Sequence, residues 1–87
     1  MYYTFRLCKS GGFEVMPKGG LRLDLMEFAG NFEKVMVKTD AILVVKIDEV
    51  KASIYPSGRI LLHNCSEERA QEIAVRLYRM VESAVKK

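Results

Sequence analysis

Between Lys51 and His63, alternate residues carry groups able to hold an anion or a nucleobase. Lys51, Ser53 and Tyr55 precede a Pro-Ser-Gly turn, and Arg59, Leu61 and His63 follow it. Side chains alternate across an extended chain, so this set shares one face while Ala52, Ile54, Ile60 and Leu62 point to the other. The same alternation over Ala41 to Ile47 turns Ala41, Leu43, Val45 and Ile47 inward and leaves Asp40, Ile42, Val44 and Lys46 outside. Over Tyr2 to Lys9 it adds Tyr2, Thr4, Arg6 and Cys8 to the outer set. The candidate binding surface is thus Arg6, Ile42, Val44, Lys46, Lys51, Ser53, Tyr55, Arg59, Leu61 and His63. Its cations lie toward the edges, with Tyr55 and the aliphatics between them. Cations contact phosphates, while an aromatic ring and aliphatic side chains stack on bases or wedge between them. Rows of exposed aliphatics mark a binding surface. The partners this implies are DNA or RNA, or else a protein, including a second copy docked through the open face.

Other chemistries find little footing. His63 is the only histidine and has no second metal ligand close in sequence, so it reads as a polar strand residue. Cys8 and Cys65 are too far apart for a metal knuckle. They read as two reduced, half-buried thiols, with a single disulfide between them as the alternative. Asp48-Glu49 is accounted for by a turn and Glu67-Glu68 by a helix start. With no phosphate-cradling loop, no Cys-x-x-Cys and no nucleophile motif, we expect no catalytic residue, metal or cofactor, and a non-enzymatic protein.

The elements that position this face follow from pattern. The chain has 87 residues, a net charge of +3 and a pI near 9.0, with 49% apolar residues. That is one modest core and hence a single domain over 1–87. The basic balance tolerates an acidic partner without demanding one. No apolar run approaches the roughly 18 residues that cross a bilayer, and the first residues lack a signal-peptide pattern, so a cytoplasmic, non-membrane protein is expected. Tyr2 to Lys9 alternates as a strand, Ser10-Gly11-Gly12 breaks it, and Phe13 to Met16 reads as a short returning strand.

Asp24 and Glu27 form a capping-box pattern, followed by a helical stripe of Leu25, Phe28, Ala29, Phe32, Val35 and Met36. We expect a helix from about Leu25 to Val37, with an early break at Gly30 as the alternative. Three strands follow, Ala41 to Ile47, Val50 to Tyr55 and Arg59 to Asn64. Ser66 then caps a last helix whose buried stripe is Ala70, Ile73, Ala74, Leu77, Val81, Ala84 and Val85. Both helices are apolar on one side only, so they must cover one face of the sheet. The expected fold is α+β, a two-layer sandwich. Its antiparallel sheet comprises an N-terminal strand or hairpin plus a three-strand meander, with two helices on one face and the other face open.

This order resembles half of the TATA-box-binding protein core. In that family an apolar strand ends in an aromatic and a Ser-Ser-Gly-Lys turn. A second apolar strand and a Ser-Glu-Glu helix start come next. Here the passage runs Ala52-Ser53-Ile54-Tyr55-Pro56-Ser57-Gly58-Arg59-Ile60-Leu61-Leu62-His63-Asn64-Cys65-Ser66-Glu67-Glu68. Asp24-Leu25-Met26-Glu27 sits where the family opens its first helix with Asp-Leu-Lys-Lys. The resemblance spans about Asp24 to Val85, and it implies a TBP-like fold and a nucleic-acid-binding sheet face. It also extends to small stand-alone archaeal proteins and to accessory domains beside DNA glycosylase and ribonuclease H modules. Two departures stand out. There is one repeat rather than two, so a complete saddle would need a homodimer. Tyr55 matches one wedge phenylalanine, but the other falls near Asp40, an acidic residue unable to unstack bases.

Overall fold

A computed structural model describes residues 3–7, 12–18 and 22–85. Strand β1 (Tyr3–Leu7) and strand β2 (Phe13–Pro17) form the N-terminal hairpin. They are followed by the short helix α1 (Leu25–Phe28), a 3-10 turn (Ala29–Asn31), strands β3 (Val35–Lys38), β4 (Leu43–Ile47), β5 (Val50–Ile54) and β6 (Ile60–His63), and the long helix α2 (Glu67–Val85). The strands make one six-stranded sheet in the order β1-β2-β6-β5-β4-β3, antiparallel throughout. The fold is therefore α+β with an open antiparallel sheet, and the meander has four strands (β3 to β6) rather than three.

The additional strand comes from the sequence assigned to the first helix. Asp24 caps α1 as its pattern requires, its Oδ1 accepting from the N–H groups of Met26 at 3.1 Å and Glu27 at 3.2 Å. The helix stops at the earlier of the two expected points. Asn31 Nδ2 donates to the Phe28 carbonyl at 3.1 Å, and Phe32 is already extended at φ −122°, ψ 143°. Gly and Asn are weak helix formers placed together, while the β-branched Val35 and Val37 beyond them suit a strand. Phe28 is buried, and Phe32 meets it edge-on with ring centroids 5.4 Å apart. The apolar stripe thus runs as far as Phe32, whereas Val35 and Met36 leave for the sheet edge.

The core lies between α1 and α2 and the face of the sheet carrying Val15, Leu43, Val45, Ala52, Ile54, Ile60 and Leu62, each fully buried. From α2 it takes Ala70, Ile73, Ala74, Leu77 and Val81 as expected, and also Tyr78. The side chains of Ala84 and Val85, expected in the same stripe, lie outside those described. Ser66 Oγ accepts from the Arg69 N–H at 3.2 Å and caps this helix. The ordinary three-residue hairpin at Pro56-Ser57-Gly58 closes with Gly58 N–H on the Tyr55 carbonyl at 2.9 Å and Gly58 left-handed at φ 92°.

The β4–β5 turn is less ordinary, because both of its central residues, Asp48 (φ 47°) and Glu49 (φ 76°), are left-handed without being glycine. A two-residue hairpin of this type suits Asn-Gly. Asp48 is held there by Arg69 (2.5 Å) and Arg76 (3.6 Å) from α2, which tie the turn to the helix. The Glu49 carboxylate has no ion pair among the described residues, and its carbonyl accepts from Asn64 Nδ2 at 3.4 Å. Left-handed backbone costs an L-residue roughly 1–2 kcal/mol, and glycine gives part of that back through its freer unfolded chain. Glu49→Gly is therefore expected to stabilise the domain by about 0.5–1 kcal/mol. A urea unfolding midpoint at or below wild type would contradict this.

Candidate nucleic-acid interface on the open sheet face

Strand register assembles the open face into rows. One row crosses the whole sheet: Arg6 opposite Glu14, Glu14 opposite Leu61, Leu61 opposite Ser53, Ser53 opposite Val44, and Val44 opposite Val37. A second row sets Lys46 opposite Lys51 and Lys51 opposite His63. Beyond the other side of the first row, Tyr55 and Arg59 lie at the β5–β6 turn. Of the expected site, Arg6, Val44, Lys46, Lys51, Ser53, Leu61 and His63 stand on strands in this arrangement. Ile42 lies just before β4 in a turn organised by Thr39, whose Oγ1 accepts from the N–H groups of Ala41 (3.1 Å) and Ile42 (2.9 Å). Tyr2 and Cys8, also expected on this face, lie outside the described residues.

The apolar floor differs from expectation. Val44 and Ser53 are each only 7% exposed, although neither faces the helices. Both are short side chains on central strands, flanked along those strands by Lys46 and Lys51 and across them by Val37 and Leu61. Exposed aliphatics gather instead on the edge strand β3, where Val35, Met36 and Val37 are 37%, 58% and 41% exposed.

Electrostatically, the face has two unlike ends. At one, Lys46 and Lys51 are exposed and His63 is half-buried, in adjacent register. Neither ammonium has an ion-pair partner among the described residues. Like charges directly opposite on neighbouring strands are destabilising; Glu33, Asp48 and Glu49 line a surface pocket with Lys46 without reaching ion-pair distance. Gly12 packs against the same end: a Cβ there would stand 2.6 Å from His63 Nδ1 and 2.7 Å from the Leu62 carbonyl oxygen. The close approach of β2 to β6 at this point thus requires glycine.

At the other end, a carboxylate overlooked in the sequence reorganises the cations. Glu14 Oε1 accepts from Arg6 Nη2 at 2.7 Å and Oε2 from Arg59 Nε at 2.5 Å. The Arg59 guanidinium also lies over the Tyr55 ring, 5.6 Å from its centroid. The hairpin pattern puts Glu14 on the same face as Arg6, but closing it on Ser10-Gly11-Gly12 would set Glu14 opposite Cys8; only the observed register, with Leu7 opposite Phe13, brings it to Arg6. Hydrogen bonds from Arg6 and then Arg59 hold the Glu14 carboxyl below its ordinary value of 4.5. The folded state thus binds this proton less tightly than the unfolded chain does. Its stabilising contribution is complete above about pH 4.5 and is lost as pH falls through the folded-state value. Glu14→Gln is expected to flatten the fall of stability below pH 4.5 in acid-titrated denaturation curves. An acid limb as steep as wild type would show that the pair contributes nothing.

Cys65 is a free thiol, half-buried, and burial pushes its pKa up, so it is not a ready nucleophile. Among the described residues, no helix is long and apolar enough to cross a membrane.

Fold and face together define an α+β domain with an open, partly basic antiparallel sheet. Comparison with protein-family models, curated proteins and solved structures finds no match to this chain.

Proposed function

We propose that this protein is a small non-catalytic module that binds nucleic acid across its open sheet face. The observation carrying the proposal is the in-register basic row Lys46, Lys51 and His63, two of whose members face each other as ammonium groups without an ion-pair partner among the described residues. A phosphodiester backbone lying along this row relieves the repulsion between them and releases counterions. Bases then lie toward Leu61 and Tyr55. The likeness to a TATA-box-binding half-repeat supports a nucleic-acid role. Bending of duplex DNA is not part of the proposal, because acidic Asp40 stands where the second wedge would be.

The test is a salt titration of fluorescence anisotropy with labelled single-stranded and duplex oligonucleotides. Affinity should fall linearly in log–log form, with a slope of roughly −0.7 per phosphate contact on a single strand. Absent or salt-insensitive binding at low ionic strength would overturn the reading.

A protein partner is the second reading, and what favours it is the edge strand rather than the open face. Val35, Met36 and Val37 are exposed along β3, and an exposed apolar edge is a template for an added strand. The burial of Val44 and Ser53 argues against an apolar seam between two open faces. A monomer by sedimentation, with and without oligonucleotide, would remove self-association through either surface.

A further inference from the structure

We propose that Glu14 is an internal stand-in for phosphate, occupying Arg6 and Arg59 and so confining an anionic strand to the Lys46–Lys51–His63 end of the sheet. This rests on the nucleic-acid reading above and concerns where on the face that ligand lies. Two guanidinium groups converge on one carboxylate, each on a different oxygen. Arginines hold phosphates with the same charge-assisted hydrogen bonds. The Glu14 side chain is only 12% exposed, beneath Arg6 at 71% and Arg59 at 42%, so the carboxylate lies under the cations that a ligand would otherwise meet. The three side chains sum to one positive charge where two would stand without Glu14. Arg59 is further occupied by Tyr55. By contrast, Lys46 and Lys51 have no carboxylate within ion-pair distance among the described residues. The face is thus open to an anion at one end and already satisfied at the other.

Glu14→Gln keeps the side-chain shape and removes the charge. We expect it to tighten binding of a short labelled single-stranded oligonucleotide roughly tenfold at about 0.1 M salt, and to steepen the salt slope by about 0.7 to 1.4, one to two new phosphate contacts. Adding Arg59→Ala to that variant should remove most of the gain. If wild type binds with salt sensitivity and Glu14→Gln binds no more tightly, this inference fails while the nucleic-acid reading stands. If neither protein binds, both fall. If only Glu14→Gln binds, the Lys46–Lys51–His63 end holds no strand in wild type, and both the nucleic-acid reading and this inference are overturned.

A second readout needs no variant. The Arg59 Nε–H signal in NMR spectra of the wild-type protein should stay in place on adding oligonucleotide, while the Lys51 and His63 signals move. An Arg59 shift as large as theirs would overturn the inference.

Discussion

Replacing Lys46 and Lys51 together by glutamate is expected to abolish oligonucleotide binding while leaving the fold intact. The two side chains are exposed and face each other across β4 and β5. Their loss removes two phosphate contacts, and the new carboxylates repel the backbone. At about 0.1 M salt each contact is worth most of a factor of ten through counterion release, so affinity should fall by roughly 10²-fold or more. Stability should barely change, because one like-charged pair has replaced another and surface substitutions usually stay within about 0.5 kcal/mol. The single change Lys46→Glu is more telling. It turns the repelling pair into an attracting one, which should stabilise the sheet by about 0.2–1 kcal/mol while weakening binding. A variant that folds better and binds worse is the signature of repulsion kept for a ligand. Unchanged binding in the double variant would remove this row from the interface.

The second large effect concerns the joint between the helix layer and the sheet. The Tyr78 hydroxyl donates to the Gly58 carbonyl at 2.7 Å, and the Val15 carbonyl oxygen lies 3.2 Å away. Its ring stacks on Tyr3, with centroids 4.7 Å apart and planes 14° from parallel. A single side chain from α2 thus ties together β1, β2 and the β5–β6 turn. Its burial pushes the phenol pKa up, so the group remains a donor. Tyr78→Phe removes only the hydroxyl and leaves buried carbonyls short of a donor, at a cost of about 1–3 kcal/mol. Tyr78→Ala also removes the ring, for which truncation of a large aromatic suggests about 3–5 kcal/mol. At about 4–8 °C per kcal/mol for a domain of this size, the Tyr78→Phe variant should melt clearly lower and the Tyr78→Ala variant lie near the limit of folding. Equal melting temperatures for wild type and Tyr78→Phe would mean that water replaces the hydroxyl at no loss. Strand β2 carries Glu14, so this tyrosine also holds the guarded end of the face in register.

Much of the architecture was legible because its signals are local. Period-two alternation sorted Ala52, Ile54, Ile60 and Leu62 from Lys51, Ser53, Leu61 and His63, and the burial of the first set agrees. Asp24, Ser66 and Gly58 each perform the capping or turn role their chemistry indicates. The segment Phe32 to Val37 was harder. Phe32, Val35 and Met36 recur at helical steps, yet Val35 and Val37 equally suit a strand, and periodicity alone does not separate these states over so short a run. Pairing with β4 decided it.

Tyr78 sits one residue beyond Leu77 in the helical stripe, and its neighbours in the chain give no sign of the strand carbonyl of Val15 and the turn carbonyl of Gly58 that it meets. The same division explains the site. Which side chains share the open face is a property of each strand alone, and the sequence determined it. Which of them oppose each other depends on strands far apart in the chain. Lys46 meets Lys51 across a tight hairpin, but Arg59 and Glu14 meet only because β6 pairs with β2. Tertiary pairing therefore turned a surface read as uniformly cationic at its edges into one with a basic row that has no ion-pair partner among the described residues and an arginine pair partly neutralised by Glu14, because charges act through space and not along the chain.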